Sequence, residues 1–297
     1  MRQRARVPPR PHVPTGLRYE AFCGSTAVHD GLLTADQLRS RAWVRLFPDV
    51  YVHQAVPVTH QLRTRAAARL LFPGAVVTGR SAAVLWGVDM ATPTDAVELT
   101  ARPGHHPVRV SGLRVRRAVL DERDVCRRAG VPVTTPEATA VALARALPLE
   151  DAVMAVDQLT RKGLAALPLV RALAAAVIGA GAGHARVACA LADGRAESPQ
   201  ETRLRLLVGR SGLPVPVAQL TVRDGGRFVA RVDFGWSAQR VALEYDGLWH
   251  GEPGQFARDR DRLNRLQAAG WRVVFVTAGD LRRPEALIAR IAEALAR

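Results

Sequence analysis

Two short runs near the C-terminus, Arg231-Val232-Asp233-Phe234-Gly235-Trp236 and Arg240-Val241-Ala242-Leu243-Glu244-Tyr245-Asp246-Gly247, constrain this chain more than any other feature. Both are short, largely apolar and bounded by turn residues, so together they read as a β-hairpin. Side chains alternate along a strand. Val232 and Phe234 are therefore expected on one face, and Arg231, Asp233 and Gly235 on the other. On the returning strand Val241, Leu243 and Tyr245 form the apolar set, opposed by Ala242, Glu244 and Asp246. A two-residue loop at Ala238-Gln239 sets position 233 opposite 244, because positions paired across such a turn sum to a constant. Asp233 and Glu244 then become cross-strand neighbours about 5 Å apart, a like-charge arrangement that destabilises a sheet unless something offsets it. A divalent cation is the simplest offset.

At 297 residues, 48% of them hydrophobic, the chain has material for two domains of ordinary size, each with its own core. Charge narrows the choice of partner. The net charge is +15, the pI is near 11.3, and Lys162 is the only lysine among the basic residues. Residues 1–120 hold seventeen arginines against seven acids, whereas residues 196–297 hold sixteen against twelve. The front half thus carries the stronger positive field, which favours a polyanion such as DNA. A basic, solvated surface without such a partner is the plainer alternative. Cys23, Cys126 and Cys189 are odd in number and far apart, which suits neither a disulfide framework nor a zinc site and points to a reducing cytoplasm. Residues 1–14 are basic and proline-rich with no apolar stretch behind them, so they read as a tail and not as a signal peptide. The most apolar segment, 164–183, is interrupted by Pro168 and Arg171 and is rich in alanine and glycine, which argues against a membrane partner.

Turn residues and periodicity divide the chain further. Thr34 is placed to cap a short helix, and Val44, Leu46, Val50 and Val52 around Pro48-Asp49 read as a wing. Residues 17–57 are therefore expected to form a winged helix-turn-helix domain behind a disordered basic tail at 1–16. Helical patterns over 59–71 and 81–86, with strands near 97–100 and 113–119, make 58–178 a middle α/β region. A helix is expected over 135–162, Pro136 sitting at its start. The alanine-rich helical stretch 165–192 is broken at Gly179–Gly183, and 179–195 serves as a connector. A new domain opens at residue 196, where Ser198-Pro199-Gln200-Glu201 has the form of a capping box. A strand over 215–222, the carboxylate hairpin, a helix over 256–269, a strand over 271–277 and a final helix from Pro284 complete it.

Helix, three strands, helix, strand is the order read over 196–297. With Ser198 and Glu201, Asp233 between Val232 and Phe234, Glu244-Tyr245-Asp246-Gly247 followed by His250, Asp259 and Arg262, and Gly270-Trp271, this region resembles the PD-(D/E)XK nuclease superfamily, specifically its Vsr-like bacterial branch, similar to the very-short-patch-repair endonucleases. The resemblance implies a restriction-endonuclease-like α-β-β-β-α-β core, Mg2+ or Mn2+ as cofactor, and DNA as substrate. One departure stands out: the third position of the (D/E)XK triplet is Asp246 where lysine is usual, which passes the duty of orienting water or stabilising charge to His250 or an arginine. The front half is more loosely similar to type IV toxin-antitoxin AbiEi-family antitoxins, through the winged helix, then Thr78-Gly79-Arg80-Ser81-Ala82-Ala83-Val84-Leu85-Trp86-Gly87, then Gly130-Val131-Pro132-Val133-Thr134-Thr135-Pro136. Arg41-Ala42 and Phe47-Pro48 stand where that family tends to have glycines.

Within this framework Asp233 and Glu244 are the expected metal ligands, with the backbone carbonyl of Tyr245 as a third donor. Asp246 is either a further ligand or the partner of His250, whose imidazole suits proton transfer or phosphate binding. Glu201 is explained as well by helix capping as by metal binding. Arg258, Arg262 and Arg265 fall on one helix face, there either to follow a nucleic-acid backbone or to pair with Asp259 and Asp261. His105-His106 next to Pro107 reads as a surface turn. The whole is expected to be a cytoplasmic bacterial DNA endonuclease dependent on Mg2+, a phosphodiester hydrolase with an N-terminal DNA-binding region. Its rival is a non-catalytic DNA-binding regulator, antitoxin-like, that retains a nuclease fold.

Overall fold

The runs rich in valine and leucine pair into three sheets, and the alanine-rich stretches wind into helices around them, in a computed structural model that describes residues 13–104, 109–247 and 255–297, without the side chains of 255–259. The chain is mixed α/β and falls into two compact units, Met1–Ala142 and Leu143–Arg297. Among the described residues no helix is long and apolar enough to cross a membrane. His105, His106 and His250 lie outside the described residues.

In the first unit β1 (Phe22–Cys23), α1 (Gly24–His29), α2 (Ala35–Leu38), β2 (Trp43–Phe47) and β3 (Val50–His53) come in that order, with a sheet order of β1-β3-β2, all antiparallel. Thr34 caps α2 in a reciprocal box with Gln37. The core of this small layer is Leu17, Phe22, Ala27, Leu33, Ala42 and Trp43, with the Phe22 and Trp43 rings edge to face at 5.0 Å. Next come α3 (His60–Ala66), β4 (Val76–Val77), α4 (Gly79–Leu85), β5 (Val97–Ala101), β6 (Leu113–Arg117), β7 (Val125–Arg128) and β8 (Val131–Thr134). Their sheet runs β6-β5-β4-β8-β7 over a core that includes Val77, Leu85, Leu99 and Val133. The β7–β8 hairpin carries no sequence signal beyond Ala129-Gly130, both of which take positive φ at the turn.

A buried histidine ties this second layer together. His60 Nδ1 faces the Thr92 carbonyl at 3.1 Å, and a carbonyl only accepts, so Nδ1 carries the proton. The Nε2 atom of the neutral ring then accepts from Ser81 Oγ at 2.8 Å, and the same oxygen accepts from Glu98 N at 2.9 Å. Burial lowers the His60 pKa, with the positive charge of Arg63 adding to it.

α5 (Pro136–Ala146) and α6 (Leu149–Arg161) replace the single helix expected over 135–162. Pro148 explains the break: it lacks an N–H and starts the second helix as its N-cap. The second unit adds α7 (Leu167–Ala176), α8 (Ala182–Leu191) and α9 (Pro199–Arg210), so α6–α8 share a unit with residues 196–297. Asp157, fully buried in α6, holds them in place. Its Oδ1 accepts from Asp193 N and Gly194 N at 2.8 and 3.0 Å, and its Oδ2 accepts from Thr202 Oγ1 and Arg205 Nη2 at 2.8 and 2.7 Å. One carboxylate therefore joins α6, the turn after α8, and the first half of α9.

The remainder of that unit is β9 (Val217–Asp224), β10 (Arg227–Trp236), β11 (Val241–Tyr245), α10 (Gln255–Ala268), β12 (Arg272–Val276), α11 (Ala278–Leu281) and α12 (Pro284–Ala296). The sheet order is β12-β11-β10-β9, with β11 and β12 parallel and the other pairs antiparallel. Its faces carry separate cores. Leu204 and Val208 of α9 and Leu287 and Ile291 of α12 pack with Phe234, Trp236, Val241 and Leu243, while Leu266 of α10 packs with Val222, Val232, Ala242 and Trp271.

Two outcomes are expected. A depressed folded-state pKa means that the neutral imidazole of His60 stabilises the fold above about pH 6.5, and that this contribution is lost as pH falls through the folded value. Thermal melts at pH 7.5 and 5.0 should show the wild type losing more stability than His60→Gln; parallel losses would contradict the assigned role. Asp157→Ala removes the acceptor of Arg205 Nη2 and of three other donors, while Arg205 keeps Leu191 O and Asp193, and should cost about 3–5 kcal/mol in urea unfolding.

Candidate functional site

The sheet of the second unit breaks its own alternation at Asp233. In β10, Phe234 and Trp236 enter the core beneath α9 and α12, yet Ala230 and Val232 enter the core beneath α10. In β9, Ala218 packs with the first core and Leu220 and Val222 with the second. The expected placement of Val232 and Phe234 on one face is therefore corrected: they sit on opposite faces. Between the two regimes lie Asp233 and Gln219, set opposite each other by the flanking pairs Leu220↔Val232 and Ala218↔Phe234. Gln219 takes a φ of 53°, a left-handed conformation that costs energy in a residue with a Cβ. This irregularity lies where the two strands change the face they present. Gly235 follows at once, and a Cβ there would stand 2.5 Å from Leu220 Cδ2.

The partner strand keeps the expected register. Phe234↔Leu243 and Trp236↔Val241 pair across a turn at residues 237–240, so the sum that sets 233 opposite 244 holds. The main-chain ladder ends at Phe234↔Leu243, and the Asp233 side chain takes over, its Oδ2 accepting from Tyr245 N at 2.8 Å. Burial raises the Asp233 pKa, opposed by that hydrogen bond and by the charge of Arg262.

Glu201 approaches from the first turn of α9. Ser198 Oγ caps the helix by accepting from Glu201 N at 3.2 Å, and donates back to Glu201 Oε1 at 2.9 Å. Glu201 Oε2 accepts from Glu197 N at 2.8 Å and from Gln219 Nε2 at 3.1 Å. The capping role expected of Glu201 is thus present, while the carboxylate also meets the strained residue opposite Asp233. Burial raises the Glu201 pKa, and the negative charge of Asp233 raises it further. Glu197 beside it is held low by Arg161 and by Arg231, whose Nη2 reaches both its oxygens at 3.0 Å.

Glu244, buried on β11, meets a cation from α10. Arg262 Nη1 and Nη2 donate to its two oxygens at 2.8 and 3.0 Å, a fork that matches a carboxylate edge to edge. Arg262 also donates to the Arg231 carbonyl at 3.3 Å, and Arg265 Nε to the Val229 carbonyl at 3.3 Å. These two arginines thus turn toward the sheet, and the side chain of Arg258 lies outside the described residues. Asp246 is exposed just past β11, its N–H donating to Val276 O at 2.7 Å. Among the described residues no group of three or more His, Cys, Asp or Glu side chains stands ready to hold a metal ion; Glu201 is turned to its helix cap and Glu244 to Arg262. Gln219, Arg231 and Glu197 escaped the sequence reading. A lone polar residue in the run Val215-Pro216-Val217-Ala218-Gln219-Leu220 is the one signal that marks Gln219.

No family model matches the chain. Two curated proteins of Mycobacterium tuberculosis, Uncharacterized protein MT2308 and Uncharacterized protein Rv2248, from different strains, are each 35% identical to it over 266 residues, which is 88% of this chain and 95% of theirs. Among solved structures, the crystal structure of RV2827C protein from Mycobacterium tuberculosis aligns with 69% of this chain and 82% of its own, at 17% identity and a TM-score of 0.39.

A carboxylate whose folded pKa is raised weakens the fold at neutral pH, and the penalty fades as pH falls through the raised value toward the unfolded one, about 3.9 for aspartate. Asp233→Asn keeps an oxygen to accept from Tyr245 N and removes the charge. It should raise the melting temperature at pH 7, with the gain shrinking as the solution is acidified toward that unfolded value. A lower melting temperature at pH 7 would show that the charge of Asp233 is compensated in the fold.

Proposed function

The chain belongs to the same family as the Mycobacterium tuberculosis proteins MT2308 and Rv2248, and we propose that it is an Mg2+- or Mn2+-dependent DNA endonuclease whose first unit binds DNA. The observation that carries the reading is the register of β10 and β11, which sets Asp233 opposite Glu244, with the Asp233 carboxylate bonded to Tyr245 N and its charge acting on Glu201. The element order from α9 to β12 supports a restriction-endonuclease-like core, and the order from β1 to β3, with its antiparallel sheet, supports a winged helix. The positive excess of residues 1–120 supports DNA as partner.

The donor set suits a hard divalent cation, which takes oxygen ligands. Asp233 and Glu244 would hold it, with the Tyr245 carbonyl as a further donor. The raised pKa values of Glu201 and Asp233 mark carboxyls that a bound cation would relieve. Once bound, Mg2+ supplies charge stabilisation at the phosphoryl oxygens and a more acidic water. The chain's own residues do the rest. Tyr245 N–H fixes Asp233, Ser198 and Gln219 fix Glu201, and Glu201, with its raised pKa, is suited to exchange a proton at a higher pH than an ordinary glutamate.

The Glu244–Arg262 pair favours a second reading, a non-catalytic DNA-binding regulator in which these groups satisfy one another. Cleavage of single-stranded, duplex, mismatched and branched DNA with Mg2+ or Mn2+ separates the two. An endonuclease should cut at least one form, and Asp233→Ala should slow it by about 10²-fold or more, the scale on which losing a catalytic group is felt. Equal rates in wild type and variant, or no cleavage of any form by the full chain, would reject the endonuclease.

A further inference from the structure

The place between Asp233 and Glu244 already receives a positive charge from the protein itself. Arg262 contacts both oxygens of Glu244, and its charge also acts on Asp233. The two partners are differently exposed: the Glu244 side chain is 9% accessible and that of Arg262 is 29%. A guanidinium at the end of a long side chain on α10 has a route to solvent, whereas the carboxylate on β11 is shut in beneath it. Any metal that takes Glu244 must compete with Arg262 for the same two oxygens. On the Asp233 side, Oδ2 is the oxygen that accepts from Tyr245 N.

Building on the endonuclease reading, we propose that Arg262 is an exchangeable counter-ion, which holds Glu244 in the metal-free protein and is displaced from it when a divalent cation binds. The pair then sets how tightly the site takes metal. Arginine is suited to the task because it is less strongly hydrated than an ammonium, remains charged at all working pH values, and matches the carboxylate with two parallel bonds. Its guanidinium, once released, needs another acceptor. The Arg231 carbonyl, 3.3 Å from Nη1, is one within reach, and a phosphate oxygen would be another.

Calorimetric titration of the full chain with Mn2+ tests the exchange without reference to cleavage. Arg262→Met removes the competitor, and should tighten Mn2+ binding by about tenfold or more, the ratio that one hydrogen bond to a charged group is worth. Adding Glu244→Gln to that variant should abolish the gain. Arg262→Lys keeps the charge without the fork and should bind with intermediate affinity, which keeps the test open if the methionine variant fails to fold. Folded Arg262→Met or Arg262→Lys protein that binds Mn2+ no tighter than wild type would overturn the exchange. If Asp233→Asn at the same time abolishes binding, the metal site itself stands. No Mn2+ binding by either wild type or the arginine variants would overturn the exchange and the metal reading together.

Discussion

Burying a carboxylate is expensive unless its charge is matched, and the second unit is organised by how it meets that demand at Asp157, Glu201, Asp233 and Glu244. Asp157 has four donors, two backbone amides, a hydroxyl and a guanidinium, which satisfy both oxygens. Nothing remains for a ligand to do there, and the result is rigidity: α9 cannot shift along α6 without breaking the contacts to Thr202 and Arg205. Glu201 sits one residue before Thr202, so its position at the start of α9 follows from Asp157. Glu201 and Asp233 are matched less fully, and burial pushes both pKa values up. Glu244 is matched by the fork of Arg262, a side chain with its own way out to solvent. The contrast separates a carboxylate that builds the fold from carboxylates that the fold holds at a residual cost or against a partly exposed arginine, and perturbed carboxyls of that kind cluster where proteins do chemistry.

Gln219 supplies the second half of that arrangement. The left-handed backbone at Gln219 lies where the sheet passes from one core to the other, and the Asp233 carboxylate lies beside the β11 backbone. The strained residue gives its own amide to Glu201. Backbone strain and a polar contact thus fall on one residue, between the helix carboxylate and the strand carboxylate.

The hairpin register was legible because Val241 and Leu243 alternate cleanly with Ala242 and Glu244, and a two-residue turn fixes which positions face each other. The cap at Ser198 was legible because its donors and acceptors are local. The switch of face at Asp233 was not, since a left-handed glutamine leaves no mark in an alternating pattern that continues on either side of it. Nothing in the sequence marks Asp157, because its partners lie 36 to 48 residues away. Arg262 showed the same limit: three arginines on one helix face suggest an outward cationic stripe, whereas the sheet beneath α10 offers Glu244 and two carbonyls that draw Arg262 and Arg265 inward.

The first unit supplies the opposite lesson about access. Ser81 and His60 are within hydrogen-bond distance, with the ring held at its other nitrogen, an arrangement that taken alone describes a nucleophile and its base. Burial decides against it. Ser81 is 0% accessible and His60 3%, and the Ser81 hydroxyl already accepts from Glu98 N while donating to the ring. No substrate atom can approach that oxygen without dismantling β5 from α4. The carboxylates of the second unit differ in kind: Asp233 is only half-buried, the Arg262 side chain that pairs with Glu244 is partly exposed, and β11 ends one residue before the exposed Asp246. The Ser81–His60 pair is therefore a structural contact sealed inside the first unit, whereas the carboxylates at the break in the sheet include a half-buried Asp233.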